Sequence, residues 1–228
     1  STPVTLSANL KGALLAVCAF GIFSVADTIV KYESQFMPVA AVTAMITGIA
    51  TVLIALYGFG IGQGRALVPA TPAFTLGRGV LLASETAIIY YAFTVVPLAD
   101  VYVLTFLTPI FVSVIAIVGL GERPSPLVAI GVVLGFVGVL VAFRPGAMGF
   151  GLGHFAAAGS ALIFAVTLVM IRIAPPRESD LALVICPMVI LAIGSGIVTL
   201  MTTGFPAPSA GDMALVLLAS FCLFAGNL

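Results

Sequence analysis

Charge is what this sequence has least of. Asp, Glu, Lys and Arg make up 7% of its 228 residues while apolar residues reach 62%, against roughly 25% and 45–50% in a soluble globular domain. A chain so poor in charge is read as a membrane protein. Its 8 basic and 8 acidic residues cancel, which leaves no electrostatic footprint for nucleic acid or for an anionic membrane surface. Metal ligands are equally scarce. Cys18, Cys186 and Cys222 lie far apart inside apolar runs and His154 is the only histidine, so no metal site arises at a recognisable spacing and the cysteines are packing residues. Nor is a cofactor expected: Gly149, Gly151 and Gly153 superficially resemble a nucleotide-binding loop, but they open an apolar run with no strand before them.

What the chain has instead is long apolar segments. A helix crossing a hydrocarbon layer needs about 20 mostly apolar residues, and charged or Pro/Gly-rich breaks divide the sequence into eight such runs: 12–30, 37–60, 74–97, 98–120, 126–143, 148–171, 181–201 and 212–228. The runs are continuous, whereas barrel strands alternate over about 10 residues, so the fold class is all-α. The first run exceeds the apolar core of a cleavable signal peptide and is read as a permanent span. With the N-terminus on the cytoplasmic side, the inner segments hold Lys11, Arg65, Arg78, Arg123, Arg172 and Arg177 and the outer ones only Lys31 and Arg144. That imbalance predicts a cytoplasmic N-terminus.

A shift of 141 residues lays the first run over the sixth: Gly12 on Gly153, Ile22 on Ile163, Phe23 on Phe164, Val25 on Val166, and Lys31 on Arg172. Both copies precede a Glu-Ser pair, Glu33-Ser34 and Glu178-Ser179. The reading is a first five-helix unit over residues 1–146 and a second, incomplete unit of three helices over 147–228. An odd number of helices per unit inverts the second copy, a common transporter plan that puts substrate near the midplane between the repeats. The eighth run, ending at Asn227-Leu228 without a cap or charge, looks cut short.

Several spaced elements then match a known pattern in order: Tyr91-Ala92-Phe93-Thr94-Val95-Val96-Pro97-Leu98-Ala99-Asp100, Leu104-Thr105-Phe106-Leu107-Thr108-Pro109-Ile110-Phe111, Leu120-Gly121-Glu122-Arg123, Gly135-Phe136-Val137-Gly138-Val139-Leu140 and Arg144-Pro145-Gly146. The chain resembles the EamA-type transporters of the drug/metabolite transporter superfamily, and within them looks most like the YddG-type amino-acid exporters. The resemblance implies ten helices in two inverted five-helix repeats, of which about eight are present here. It also implies a central cavity lined by the third, fourth, sixth and eighth helices, and movement of small metabolites, many of them amino acids exported from the cell.

Polar residues inside the runs mark candidate sites. Glu85, about 10 Å along the axis past Arg78, costs about 2.5–3.5 kcal/mol in lipid, against about 0.3–0.6 returned by each Val, Leu, Ile or Phe. It needs either a watered cavity or a partner, for which Arg78 on the same face is the candidate. Asp27 stands four residues before Lys31, the spacing of an interfacial pair, or else takes part in gating or coupling; His154 is a candidate pH gate. Tyr90 and Tyr91 on the third run, Tyr102 and Thr105 on the fourth, Pro109 as a bend, Phe164 on the sixth and Asn227 on the eighth complete the candidate lining. Gly131, Gly135 and Gly138 form a small-residue face for close packing within the unit or between protomers of a homodimer.

All basic residues fall at span ends or in loops, so no phosphate clamp is expected. Aromatic faces, hydroxyls and carboxylates suit a small neutral or zwitterionic solute carried by alternating access. An intramembrane enzyme is the competing class, but no nucleophile and base, acid pair or metal cluster is visible; a channel would need a filter or charged ring.

Overall fold

The computed structural model describes residues 8–121, 126–143 and 151–227; Glu122-Arg123, Arg144-Pro145-Gly146 and Gly149 lie outside them. The described chain is helical: α1 Ala8–Glu33, α2 Val39–Gly60, α3 Pro72–Val95, α4 Leu98–Thr105, α5 Thr108–Leu120, α6 Pro126–Phe143, α7 Leu152–Arg172, α8 Asp180–Thr202 and α9 Ala210–Gly226, with a short 3-10 turn at Gly64–Leu67. Counting α4 and α5 as one broken span gives the eight expected segments. Four spans meet the demands of bilayer crossing by length and composition alone: 39–60, 98–120, 152–172 and 180–202. Of the rest, α9 is shorter, at 17 residues, and α3 carries Arg78 and Glu85.

Local chemistry sets the boundaries. Pro38, Pro72, Pro97 and Pro126 stand at helix starts, where a missing N–H costs nothing. Ser179 and Ser209 cap α8 and α9 through their side chains, accepting from Ala182 N and Asp212 N. Gly121 ends α5 in the left-handed region at φ 67°, a conformation open to glycine. The expected bend at Pro109 is a full break at Phe106-Leu107, because the ring clashes with the turn before it and withholds a donor from Thr105.

The bundle is held by α1 on α9, α2 on α8 and α9, α3 on α7 and α8, and α4 with α5 on α7. Its core joins Ala26, Val30, Ile46, Phe93, Val101 and Val216, all fully buried. Helices come close where glycine allows it: a Cβ on Gly79 would lie 2.9 Å from Ile190 Cδ1, and one on Gly153 would run into Val95 and Val96. On the α6 face of Gly131, Gly135 and Gly138 an added Cβ would meet nothing within 4 Å among the described residues. Cys186 and Cys222 are buried and Cys18 is exposed, all as free thiols.

Two basic residues sit where sequence spacing did not put them. Pro187 lies inside α8, and a mid-helix proline orphans the carbonyl four residues back. That carbonyl, on Leu183, accepts from Arg78 Nη1 at 2.9 Å while Arg78 Nε donates to the Thr167 carbonyl at 3.3 Å. Arg78 is therefore buried, 6% exposed, and its hydrogen bonds go to α7 and α8. The Phe93 carbonyl, in the last turn of α3 before Pro97, also lacks a helical N–H, and Lys31 donates to it and to the Val96 carbonyl. A cation on a neighbouring helix replaces the lost N–H in both places, which takes Lys31 away from Asp27.

Candidate substrate site

Most hydroxyls in the spans return to their own helix: Thr43, Thr47 and Thr51 each donate to the carbonyl four residues back. Asp27 and Tyr102 do otherwise. The Tyr102 hydroxyl, on α4, donates to Asp27 Oδ2 on α1 at 2.9 Å. The Tyr102 ring centroid is 6.3 Å from that of Phe93 on α3, and Phe93 is 5.8 Å from Tyr90. Tyr90 and Glu85 are buried at 3% and 8% exposure. The Thr86 hydroxyl is 3.2 Å from Glu85 Oε2, and Asp27, Glu85 and Tyr90 lie within electrostatic reach of one another.

Two carboxyl groups and two phenols thus gather where α1, α3 and α4 meet. Neither carboxyl is paired with a cation among the described residues, because Lys31 and Arg78 are committed to backbone carbonyls. Carboxylates beside aromatic faces attract an ammonium group, and phenols and hydroxyls orient it. No group of three potential ligands for a metal occurs among the described residues.

The remaining candidates are more dispersed. Tyr91 is 44% exposed, on a different face of α3 from Tyr90. The Thr105 hydroxyl donates to the Tyr102 carbonyl at 2.8 Å, beside the break before Pro109. Phe164 is half-buried on α7, and its carbonyl accepts from Thr167 at 2.8 Å. Asn227 is half-buried and donates to the Leu223 carbonyl at 2.7 Å in its own helix. His154 Nδ1 accepts from Gly151 N at 3.2 Å at the start of α7. Sequence reasoning missed Phe93 as the wall between the two tyrosines; its position one turn from Tyr90 on the same face was the signal that could have found it.

A bundle of apolar spans around a buried cluster of acids and phenols defines a membrane protein of the transporter class, and comparison with known proteins carries this further. The EamA-like transporter family model matches residues 10–144. The chain belongs to the EamA-like transporter family. It is 35% identical over 144 residues to human solute carrier family 35 member G1, covering 58% of this chain and 39% of that protein. The mouse protein of the same name is 30% identical over 211 residues, 85% of this chain and 55% of the mouse protein. The pseudopaline exporter CntI of Pseudomonas aeruginosa is 36% identical over 115 residues, covering 50% and 39%. The chain therefore spans about two fifths to just over half of the length of these relatives. A solved crystal structure shares the fold at TM-score 0.63 and 20% identity, covering 92% of this chain and 78% of that one.

Proposed function

We propose that the protein exports small neutral or zwitterionic metabolites, amino acids foremost as in the YddG-type exporters, by alternating access to a central cavity. The cluster of Asp27, Glu85, Tyr90 and Tyr102 carries this reading. Its acids receive the ammonium of a zwitterion, and Phe93 with the tyrosines receives an apolar side group. A sugar phosphate or nucleotide would need a free buried cation, and the one arginine buried in the spans among the described residues is held by the Thr167 and Leu183 carbonyls. Tyr91, Thr105, Pro109, Phe164 and Asn227 complete the cavity wall in this proposal, with His154 beside its mouth.

The architecture we infer is two inverted repeats, residues 1–146 and 147–228, the second incomplete. The helix pairings support it. Exchanging the units turns α1 on α9 into α7 on α3, turns α2 on α9 into α8 on α3, and returns α2 on α8 to itself, and each product is a pairing present in the bundle. The excess of Lys and Arg beside the inner loops supports a cytoplasmic N-terminus in a bacterial inner membrane. The bare glycine face of α6 is our candidate for contact in a homodimer.

Counterflow in proteoliposomes of the full-length protein tests the substrate class. Loaded phenylalanine or methionine should exchange, and Glu85→Gln should slow exchange or change its pH dependence while the protein still inserts. Exchange of a sugar phosphate alone would overturn the proposal.

A further inference from the structure

A Glu-Ser pair stands in the turn after α7, and another spans the end of α1 and the first residue of the turn that follows it. Glu178 holds the start of α3: its Oε1 accepts from Ala70 N at 3.1 Å, and its Oε2 accepts from Thr71 N at 2.8 Å, from the Thr75 hydroxyl at 2.6 Å and from the Thr71 hydroxyl. Burial opposes its charge, but the hydroxyls of Thr71 and Thr75 and the N–H groups of Thr71 and Ala70 prevail and hold it down at about 2. Glu178 is an ionised latch.

Glu33 is its counterpart at the start of α9. Both helices begin at a hydroxyl residue, Thr71 for α3 and Ser209 for α9, but the surroundings of the two glutamates differ. Asp212, in the first turn of α9, puts a second acid where the first turn of α3 has none. Glu33 is 0% exposed, and neither carboxyl oxygen has a hydrogen-bond partner among the described residues. It lies past the apolar run that ends at Val30, with Asp212 within electrostatic reach.

Among the described residues, no base offsets this pair from the elements packed on α1. α2 carries no charged residue over Val39–Gly60, and Lys31 is committed to the carbonyls of Phe93 and Val96. The charged residues of α3, Arg78 and Glu85, lie well along their helix from that end, and the first turn of α4 adds another acid, Asp100. Burial first and Asp212 second push the Glu33 carboxyl above the ordinary range.

We propose that Glu33 and Asp212 form a proton-binding site at the end of the bundle opposite Glu178. A proton from water adds to the Glu33 carboxylate, and the resulting O–H donates to Asp212, whose Oδ2 already accepts from Ser209 N at 2.8 Å, leaving Oδ1 as the acceptor. Protonation thereby ties α1 to α9 at one end, while the Glu178 latch ties α7 to α3 at the other without a proton. The comparison of the two turns rests on the repeat proposed above; the proton site rests on Glu33 and Asp212 themselves.

Infrared difference spectroscopy on the full-length protein in nanodiscs, taken from mildly alkaline to mildly acidic buffer, tests this without any transport measurement. A carboxylic-acid band should grow with a midpoint above the ordinary glutamate range. Glu33→Gln should remove one component of this band, Asp27 and the buried Glu85 supplying the rest, Asp212→Asn should lower the midpoint of that component, and Glu178→Gln should leave it in place. Should Glu33→Gln fail to fold, the midpoint in Asp212→Asn decides. Absence of such a component in the unaltered protein, or a midpoint unmoved by Asp212→Asn, would overturn the site; failure of amino-acid exchange would not touch it.

Discussion

Arg78 survives in an apolar span because a proline elsewhere leaves a carbonyl without its N–H. Replacing Arg78 with Met keeps the bulk of the side chain and returns the Leu183 carbonyl to its orphaned state, so it should cost about 1.5–3 kcal/mol. The same change in a Pro187→Ala background should cost measurably less, since an alanine at that position supplies the N–H itself. A thermal-denaturation double-mutant cycle reads the coupling; additive losses would mean that the arginine acts elsewhere. Tyr102→Phe removes the phenol from Asp27 but keeps the ring against Phe93, so the protein should stay folded while apparent substrate affinity falls, as counterflow would show. At this scale the sequence disclosed the polar residues and hid their partners. Asp27 and Lys31 have the spacing of a pair, yet Lys31 serves the Phe93 carbonyl, and only the adjacency of α1 and α3 makes that carbonyl available.

Elements were far more legible. Hydropathy placed each span within a few residues because lipid punishes an unsatisfied backbone wherever it occurs, and proline or glycine punctuates most boundaries. The broken span at Phe106-Leu107 was expected at Pro109 itself; the clash of the ring with the preceding turn moves the break upstream. Between elements, the Glu178 latch gives a pH prediction. The folded group is held at about 2 against an ordinary value of 4.5, so its contribution is complete above 4.5 and is lost as pH falls through that interval. The Ser179 hydroxyl donates to the Ala66 carbonyl, so cross-linking between cysteines introduced at these two positions of a full-length, otherwise cysteine-free protein should be unaffected by mild acid, and Glu178→Gln should weaken it at neutral pH. The close approach of α7 to α3 is equally testable: Gly153→Leu drives a side chain into Val95 and Val96 and should lower the melting temperature, whereas Gly159→Ala, with open space around it, should not.

Across the whole molecule, the proposed inversion requires that turns alternate between the two sides. Single cysteines at Gln63 and Arg177 should react with an impermeant reagent from the cytoplasmic side, and those at Gln35 and Phe205 from the opposite side. Labelling of all four from one side would remove both the repeat and the assigned orientation. The sequence suggested this symmetry only through a few matches in apolar runs; the pairings of the helices argue for it independently, because contacts between distant segments are invisible to a linear reading. The use of Arg78 by α8 has a further implication for how such a chain matures in the membrane. A helix with Pro187 inside it enters lipid with a carbonyl that its own backbone cannot serve, and the donor it needs was made about a hundred residues earlier, on α3. Helix α8 is thus incomplete as an independent unit of insertion. Its backbone is satisfied only once α3 lies beside it, which makes this single arginine a condition on the order of packing as well as a strut in the finished bundle.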